Sequence, residues 1–512
     1  MFEQFRKSSS EIMKKTPQEG IVQCVPVRER LQDNIIYIRS CLGNSFDLLI
    51  REVELNGTRA VFFACEELCD AMLLSRSVVN PILEYCEQGG EASAVVLDVC
   101  ESVTRGLEHK ERTSLDDALK DILNGYVVFM VDGIQTCRSY GVQKIPTRSV
   151  TDPDSEVQER GSREGFVENF KINLALIRKR LCTSELKTEI IELGTTSHTR
   201  VCICSMDGRA DTEMLQRIKN DLMSAELDVV LGAGYLQEFL DKKKKSMFTS
   251  VGVTQRPDVF AAKICEGRVG IIVDGTPFAL VLPYLFIENF HAMDDYLSRT
   301  YYVTVMRILR IVSFLIGVLL PGIYVAIGLF HQELLPDDML VDIVTAESNT
   351  MFPLMLEALI IHFIYEIVRE AGLRMPKSVG HAVSIVGALV IGDAAVSAGL
   401  IGAPMLIVIA LTAICSSVES SLHHPMAVLR MIFIILGGIS GLYGIMIGLG
   451  LLIINLCSID NYGVPYMAPF SPFEAGAMRD AVVRLGWKKL GGDIMEIGKI
   501  RERRTNFGGS NK

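Results

Sequence analysis

The sequence predicts an α/β soluble N-terminal half with two related subdomains, followed by an all-α polytopic transmembrane bundle. The chain has 512 residues, 49% of them hydrophobic, and a mean hydropathy of +0.30. The apolar excess lies almost entirely after Thr300. Residues 1–300 contain a duplicated pattern, and the later part contains apolar runs long enough to cross a bilayer. These observations together favour a soluble half joined to a membrane half.

The duplication is visible at two places along the soluble half. Gly57–Phe63 (GTRAVFF) resembles His198–Cys204 (HTRVCIC). Asn124–Gly133 (NGYVVFMVDG) resembles Glu266–Gly275 (EGRVGIIVDG). The separation along the chain is the same for both pairs to within a single position. Two matches at one spacing indicate an internal repeat.

Each copy of the repeat has the pattern of an α/β unit. It opens with a β-rich run and continues through a helical stretch, such as Leu215–Ala225 or Leu115–Leu123. It closes with an apolar strand that ends in Asp132-Gly133 or Asp274-Gly275. Asp-Gly favours a tight turn because glycine adopts positive φ, so we expect turns at these aspartates and no catalysis.

The predicted domains are an N-terminal α/β subdomain (1–145), a linker (146–188), a second α/β subdomain (189–300), a transmembrane domain (301–472) and a basic cytoplasmic tail (473–512). The linker holds Arg160, Arg163 and Glu164 ahead of an amphipathic helix, Phe166–Leu181. Two interpretations stay open for it. It is either a solvated linker with a docking helix, or its three charges form ion pairs between subdomains or subunits.

Composition excludes several functional classes. The 51 Lys and Arg residues are outnumbered by 61 Asp and Glu residues, and no basic stripe is present, so nucleic acid is not expected as a partner. The 13 cysteines lack paired zinc spacing, and Cys202, Cys204, Cys65 and Cys69 are predicted to be buried reduced thiols. With no metal cluster, phosphate loop or nucleophile arrangement, we expect no cofactor, no metal and no enzymatic activity.

Five apolar stretches approach or exceed the length of a bilayer-spanning helix. They are Ile311–Phe330, Met351–Val368, Val379–Ile401, Ala403–Val418 and Met426–Cys457. The last is long enough for one tilted helix or for a tight pair hinged at Gly437-Gly438 or Gly441. The number of crossings, four or six, therefore stays open.

The flanking charges predict the orientation. The loop 331–350 contains acidic residues and no Lys or Arg, whereas Arg369, Arg374 and Lys377 follow the second stretch and the tail is basic from Arg501 to Arg504. Positive residues concentrate on the cytoplasmic side of membrane proteins. The N-terminal half, which also lacks a signal peptide, is accordingly expected in the cytoplasm.

Two groups of residues in the membrane half suggest specific roles. Small residues at helical spacing, among them Gly387, Gly392, Gly441 and Gly448, predict close helix packing of the kind a ring-like homo-oligomer would use. Acidic residues inside the spans cost free energy unless they meet water or a partner. The candidates for an ion path are Glu357, Glu366 and Asp393.

Three long motifs resemble the A subunit of GerA-type spore germinant receptors. They are RPDVFAAKICEGRVGIIVDGTPF (Arg256–Phe278), REAGLRMPKSVGHAVSIVGALVIGDAAVSAG (Arg369–Gly399) and LYGIMIGLGLLIINLCSIDNYGVPYMAPFSP (Leu442–Pro472). CLGNSFDLLIRE (Cys41–Glu52) and RGSREGFVENFKINLALIRKRL (Arg160–Leu181) match as well. The resemblance extends from about Cys41 to Pro472.

The resemblance implies a multi-pass protein of the spore inner membrane, with its N-terminal half on the core side. It implies a transporter-like, nutrient-sensing B subunit and a lipoprotein C subunit as partners, beside membrane lipid. It also implies a homo-oligomeric, ligand-gated cation channel that triggers germination. Two alternatives remain: an accessory A-like subunit of the dipicolinate-release system, and a secondary transporter of a small solute.

Overall fold

The computed structural model describes residues 25–43, 45–89, 91, 107–144, 156, 161–243, 246–348, 350–375, 392–473 and 477–486. The chain divides into two compact units. The first comprises Met1–Thr151, Phe166–Ile191 and Arg200–Asp207, and the second comprises Asp152–Gly165, Glu192–Thr199 and Gly208–Lys512. The domain boundaries expected from the sequence remain predictions.

The first sheet is built from five strands: β1 (Leu48–Leu55), β2 (Thr58–Cys65), β3 (His109–Arg112), β4 (Tyr126–Val131) and β5 (Cys137–Gly141). Their order is β1-β2-β4-β5-β3, and every neighbouring pair is antiparallel. All six residues of β4 are buried. Alternate side chains of a strand point to opposite faces, so a strand buried throughout requires a covering layer on both faces of the sheet.

Helices supply those covering layers. The helices of this part are α1 (Leu31–Leu42), α2 (Ala71–Leu74), α3 (Asn80–Glu87), α4 (Leu115–Leu123) and α5 (Phe170–Arg180). Residues of α1 and α4 form one buried cluster with Val128 and Met130 of β4. Residues of α3 form another with Val127 and Phe129. The continuous apolar run of β4 thus belongs to a sheet that is covered on both sides.

The second sheet repeats the first. Its strands are β6 (Leu186–Leu193), β7 (Thr199–Met206), β8 (Gly252–Thr254), β9 (Val269–Val273) and β10 (Ala279–Leu282). The order β6-β7-β9-β10-β8 has the same topology as the first sheet, and β10 is antiparallel to both β8 and β9. The fold class expected from the sequence, two related subdomains followed by helices, is confirmed.

The helices of the second copy correct one detail of the sequence analysis. They are α6 (Thr212–Met223), α7 (Ala233–Leu240), α8 (Pro257–Cys265) and α9 (Asp294–Leu297). When the copies are aligned so that Gly133 matches Gly275, α4 corresponds to α8, whereas α6 corresponds to the segment of α2 and α3. The stretches Leu115–Leu123 and Leu215–Ala225, which we named together, are therefore different helices of the repeat.

Both Asp-Gly pairs form the expected turns. Gly133 has φ of +86° between β4 and β5, and Gly275 has φ of +85° between β9 and β10. This left-handed conformation favours glycine. Asp132 has a further role, because its Oδ1 accepts the backbone N–H of Leu31 at 2.9 Å, at the first residue of α1.

The C-terminal part is helical. Its helices are α10 (Thr300–Phe330), α11 (Asp337–Ser348), α12 (Leu354–Arg374), α13 (Ala403–Val418) and α14 (His423–Cys457). A small sheet of β11 (Asp460–Asn461) and β12 (Val464–Pro465) follows them. By length and composition α10 and α14 could each cross a membrane, and α13 is a shorter apolar helix. The predicted span Val379–Ile401 lies outside the described residues up to 391, and 392–397 are helical.

Helix α14 is a hairpin of two helical segments. Gly441 has φ of +61° and ψ of −150°, which no α-helix accommodates. A Cβ on Gly448 would lie 2.7 Å from Leu436 Cδ1, although twelve residues of straight helix span roughly 18 Å. The chain therefore turns back at Gly441, as one of the two alternatives for this stretch predicts.

Candidate functional site

Glu357 is buried near the start of α12, with 1% of its surface exposed. Its Oε1 accepts the backbone N–H of Gly402 at 2.6 Å, immediately before α13 begins. A carboxylate at a helix N-terminus satisfies an otherwise unpaired N–H and interacts favourably with the helix dipole. Within the described residues its Oε2 has no hydrogen-bond partner. Glu357 thus links α12 to α13 and keeps one oxygen free.

Glu366 lies in the second half of α12 and has different partners. Its Oε2 pairs with Arg369 Nε at 3.0 Å and lies 3.6 Å from His423 Nε2, at the first residue of α14. Because Glu366 follows Glu357 by nine residues, the two carboxylates point to opposite sides of the helix at roughly 100° per residue. The structure does not bring these two ion-path candidates together.

Asp393 is the candidate that the protomer leaves exposed. It lies on the short helical segment 392–397, beside the buried Gly392. A Cβ on Gly392 would lie 3.4 Å from Leu406 Cδ2 of α13, an ordinary van der Waals distance, so the packing role of this glycine stays a prediction. Gly387 lies outside the described residues.

The predicted glycine packing in α14 involves contacts within one protomer. Gly448 contacts Leu436 and Phe433 of the other hairpin segment, and Gly441 forms the turn. A further close approach, between Gly437 and Gly322 of α10, joins the two long helices at their backbones. These glycines explain packing inside the bundle, and their part in a homo-oligomer stays a prediction.

A buried cation in the bundle was missed in the sequence analysis. Arg430 of α14 is completely buried. Its Nε donates to Gly317 O at 2.7 Å, its Nη2 donates to Ser416 Oγ, and its Nη1 lies 3.4 Å from His362 Nδ1. The signal was present as a lone arginine inside the apolar stretch Met426–Cys457. It ties α14 to α10, α12 and α13.

The linker charges are only partly described. Arg160 lies outside the described residues. Arg163 is exposed, and the half-buried Glu164 donates its backbone N–H to Ser162 Oγ at 3.2 Å. Their pairing between subdomains or subunits stays a prediction. A buried arginine further along the linker region, Arg178 of α5, pairs instead with Asp47, Nε to Oδ2 at 2.5 Å.

Asp47 belongs to a cluster that resembles a metal site. The ligand atoms of Asp47, Cys65 and Glu67 lie within 4.8 Å of one another. Burial, aided by Asp47, raises the pKa of the Cys65 thiol, and its Sγ lies 3.4 Å from Asp47 Oδ2. Burial and Asp47 also raise the pKa of Glu67 to about 7. Because a metal needs deprotonated ligands and Arg178 already neutralises Asp47, the chemistry of this cluster does not fit a metal.

A third group of charges holds the start of α10 in place. Arg307, which is completely buried, pairs with Asp295 (Nε to Oδ2, 3.0 Å) and with Asp480 (Nη1 to Oδ1, 3.0 Å). Tyr296 donates its hydroxyl to Asp480 at 2.9 Å. The segment 477–486, from the predicted basic tail, is thus anchored on the helical part through an acidic residue.

Comparison with known proteins gives one consistent family. The model of the Bacillus/Clostridium GerA spore germination protein family matches residues 36–492. Spore germination protein KA of Bacillus subtilis (strain 168) is 33% identical over 486 residues, which cover 93% of this chain and 89% of that protein. Spore germination protein GerLA of Bacillus cereus is 35% identical over 453 residues, covering 88% and 92%.

A solved structure is also similar in part. The N-terminal domain of the A subunit of the Bacillus megaterium spore germinant receptor GerK3 is 24% identical, with a TM-score of 0.41, and covers 52% of this chain and 98% of that one. The family match extends over most of the sequence, through both sheets and the helical part. The chain therefore belongs to the GerA family of spore germination proteins.

Proposed function

We propose that the chain is the A subunit of a nutrient germinant receptor in the spore inner membrane, and that several copies form a ligand-gated cation channel. Its partners are a nutrient-sensing B subunit, a lipoprotein C subunit and membrane lipid. The chain acts as a receptor subunit and not as an enzyme. Family membership supports the receptor role, and the helical part supports the channel.

We further propose six membrane crossings. The ends of the helices mark two sides of the bundle. On one side, Arg310 near the start of α10 lies 3.9 Å from Glu419 just after α13 (Nε to Oε1), and Glu366 late in α12 lies by His423 at the start of α14. This side corresponds to the cytoplasm, because the soluble subdomains precede α10.

The remaining helix ends lie on the other side of the bundle. Glu357 early in α12 contacts Gly402 before α13, and a Cβ on Gly441 would lie 3.1 Å from Phe330 at the end of α10. Helices α10, α12, α13 and the two segments of α14 therefore make five passes. Because α12 ends on the cytoplasmic side and α13 starts on the opposite one, we assign the sixth crossing to the span Val379–Ile401 that the sequence predicts.

The exposed carboxylate of Asp393 is the observation that carries the channel proposal. It lies in a predicted span and is not covered by the described protomer. A charge that faced lipid there would cost at least about 2.5 kcal/mol on insertion scales. Glu357 and Glu366 are already held by Gly402, Arg369 and His423. Asp393 is thus the acid best placed for water or for a second copy, and it would attract cations.

The test is the receptor, with its B and C partners, reconstituted in K⁺-loaded liposomes. Nutrient should produce unitary cation currents from the wild type, and Asp393→Asn should reduce them at least tenfold or abolish the oligomer. Asp338→Asn, an exposed acid on α11, is the matched control and should behave as wild type. Saturable solute flux without unitary events would indicate a transporter, and normal currents from Asp393→Asn would remove Asp393 from the ion path.

A further inference from the structure

The second unit contains a cavity of about 510 Å³ that the receptor proposal does not use. This volume lies in the range of small-molecule sites. Residues of β8 and α8 form one wall, and Glu288 to Leu297 form another. Val418 at the end of α13, and Glu419 and Ser421 in the turn that follows it, also line the cavity. The cavity thus joins the second sheet to the helical bundle.

The cations of the lining are already paired. Lys263 Nζ lies 2.5 Å from Glu288 Oε1 and 3.5 Å from Glu266 Oε2. Arg256 Nη2 pairs with Asp258 at 2.7 Å and donates to Ser162 O at 2.8 Å. Little positive charge is therefore left over for an anion that enters the cavity.

Glu419 is the acid that is poorly compensated. It is 7% exposed, and within the described residues its carboxylate takes part in no hydrogen bond. Its nearest cation is Arg310, whose Nε lies 3.9 Å away, longer than a hydrogen bond. Burial raises the pKa of Glu419 to about 8, with Asp295 acting in the same direction and Arg310 opposing it. A carboxyl buried in this way gains from a cation placed beside it.

The lining also includes the apolar side chains Val253, Val259, Val281, Leu297 and Val418. A poorly compensated acid and several apolar side chains in one lining suit a cation that carries a short hydrocarbon chain. A bare metal ion would leave most of the volume and the apolar wall unused. We propose that this cavity binds a small organic cation whose protonated primary amine pairs with Glu419.

Such a ligand would contact α8, the segment before α10 and the turn between α13 and α14 at once. It would stabilise this arrangement, because a ligand that binds the folded form raises its stability by mass action. Binding does not require channel activity. The receptor proposal and this inference can therefore fail independently.

The experiment uses the full-length chain purified in detergent, with 1,4-diaminobutane as the probe. Titration calorimetry should show saturable binding, and the melting temperature should rise with probe concentration. Affinity should increase between pH 6 and pH 9, because Glu419 ionises in that interval. Glu419→Gln should weaken binding at least tenfold, whereas Glu238→Gln, an exposed acid on α7, should not change it.

A second variant guards against misfolding of the first. Ala262 of α8 lines the cavity and is itself exposed, so Ala262→Met should narrow the cavity and weaken binding without lowering the melting temperature of the free protein. Equal binding of 1,4-butanediol, a neutral analogue of the same length, would overturn the inference. So would full competition by K⁺ at the same concentration, no saturable binding, or unchanged affinity in Glu419→Gln.

Discussion

The two copies of the repeat share one topology and differ in how they neutralise a buried charge. In the alignment that matches Gly133 with Gly275, helix α4 carries Asp121 at the position where α8 carries Lys263. The same point of the scaffold thus holds an acid in one copy and a base in the other.

The first copy satisfies its charge within its own sheet. Asp121 accepts from Arg112 Nε of β3 at 2.8 Å and from Ser139 Oγ of β5 at 2.6 Å. Arg112 keeps 31% of its side chain exposed, so the pair is partly hydrated. Both of these partners of Asp121 belong to the first copy.

The second copy satisfies its charge outside the sheet. Lys263 pairs with Glu288 at 2.5 Å, and Glu288 also pairs with Arg268 and accepts the Leu285 N–H at 2.9 Å. Glu288 lies beyond β10, in the segment that leads to α10. The comparison teaches that a duplicated fold can be joined to a new neighbour by exchanging one buried charge.

The copies also differ in which element, the helix or the strand, carries the larger side chain where the two are in contact. In the first copy Ala118 of α4 and Val128 of β4 are both fully buried in one cluster. The corresponding residues of the second copy are Phe260 and Gly270, and a Cβ on Gly270 would overlap the Phe260 ring. The large residue moves from the strand to the helix while the layer stays filled.

The largest expected effect comes from Glu288→Ala. It leaves Arg268, which is completely buried, and Lys263 with only the more distant carboxylate of Glu266, at 3.3 and 3.5 Å. Removal of one partner of a buried pair costs about 3–5 kcal/mol. Urea unfolding of the purified chain in detergent, followed by circular dichroism, should show this loss. Glu238→Gln is the control, and a loss as small as that of a surface ion pair would mean that Glu288 does not hold the second copy.

The carboxylate of Glu288 also predicts how the stability of the fold depends on acid pH. Burial acts to raise the pKa of Glu288, but Arg268 and Lys263 outweigh it and lower the pKa to about 2. A carboxyl with a lowered folded pKa stabilises the fold above its ordinary pKa of 4.5, and this stabilisation disappears as the pH falls towards 2. Glu288→Gln should remove that dependence. An identical pH profile in the variant would contradict the assignment.

Gly270→Val should cost about 1–3 kcal/mol, because the added methyl groups overpack the contact with Phe260. The double variant Phe260→Ala with Gly270→Val recreates the pair found in the first copy. It should recover most of the stability in the same urea experiment. If the double variant is less stable than Gly270→Val alone, the two layers are not interchangeable.

The smallest effect is expected for Asp121→Ala, about 1–2 kcal/mol, because Arg112 can turn into solvent once its partner is gone. Asp117→Ala, a more exposed acid of the same helix, serves as the control. A cost equal to that of Glu288→Ala would show that the first copy is held as tightly as the second. The inferred difference in how the two copies hold their buried charge would then be wrong.

Local sequence determined the elements and the repeat. The runs at Thr58–Cys65 and Tyr126–Val131 are largely apolar, and Asp-Gly fixes the turn that follows the second of them, so strands and hairpins could be predicted from neighbours in the chain. The length of apolar stretches likewise located α10, α13 and α14. These signals depend on residues close in sequence.

Only the tertiary structure decided which charges meet. It paired Glu357 with Gly402, placed Arg430 among three other helices and enclosed Glu419 in a cavity. It also shows that the stretch Met426–Cys457 forms a hairpin at Gly441 and not one tilted helix. Each of these depends on residues far apart in sequence, because the cost of burying a charge is set by whichever side chains the fold brings beside it.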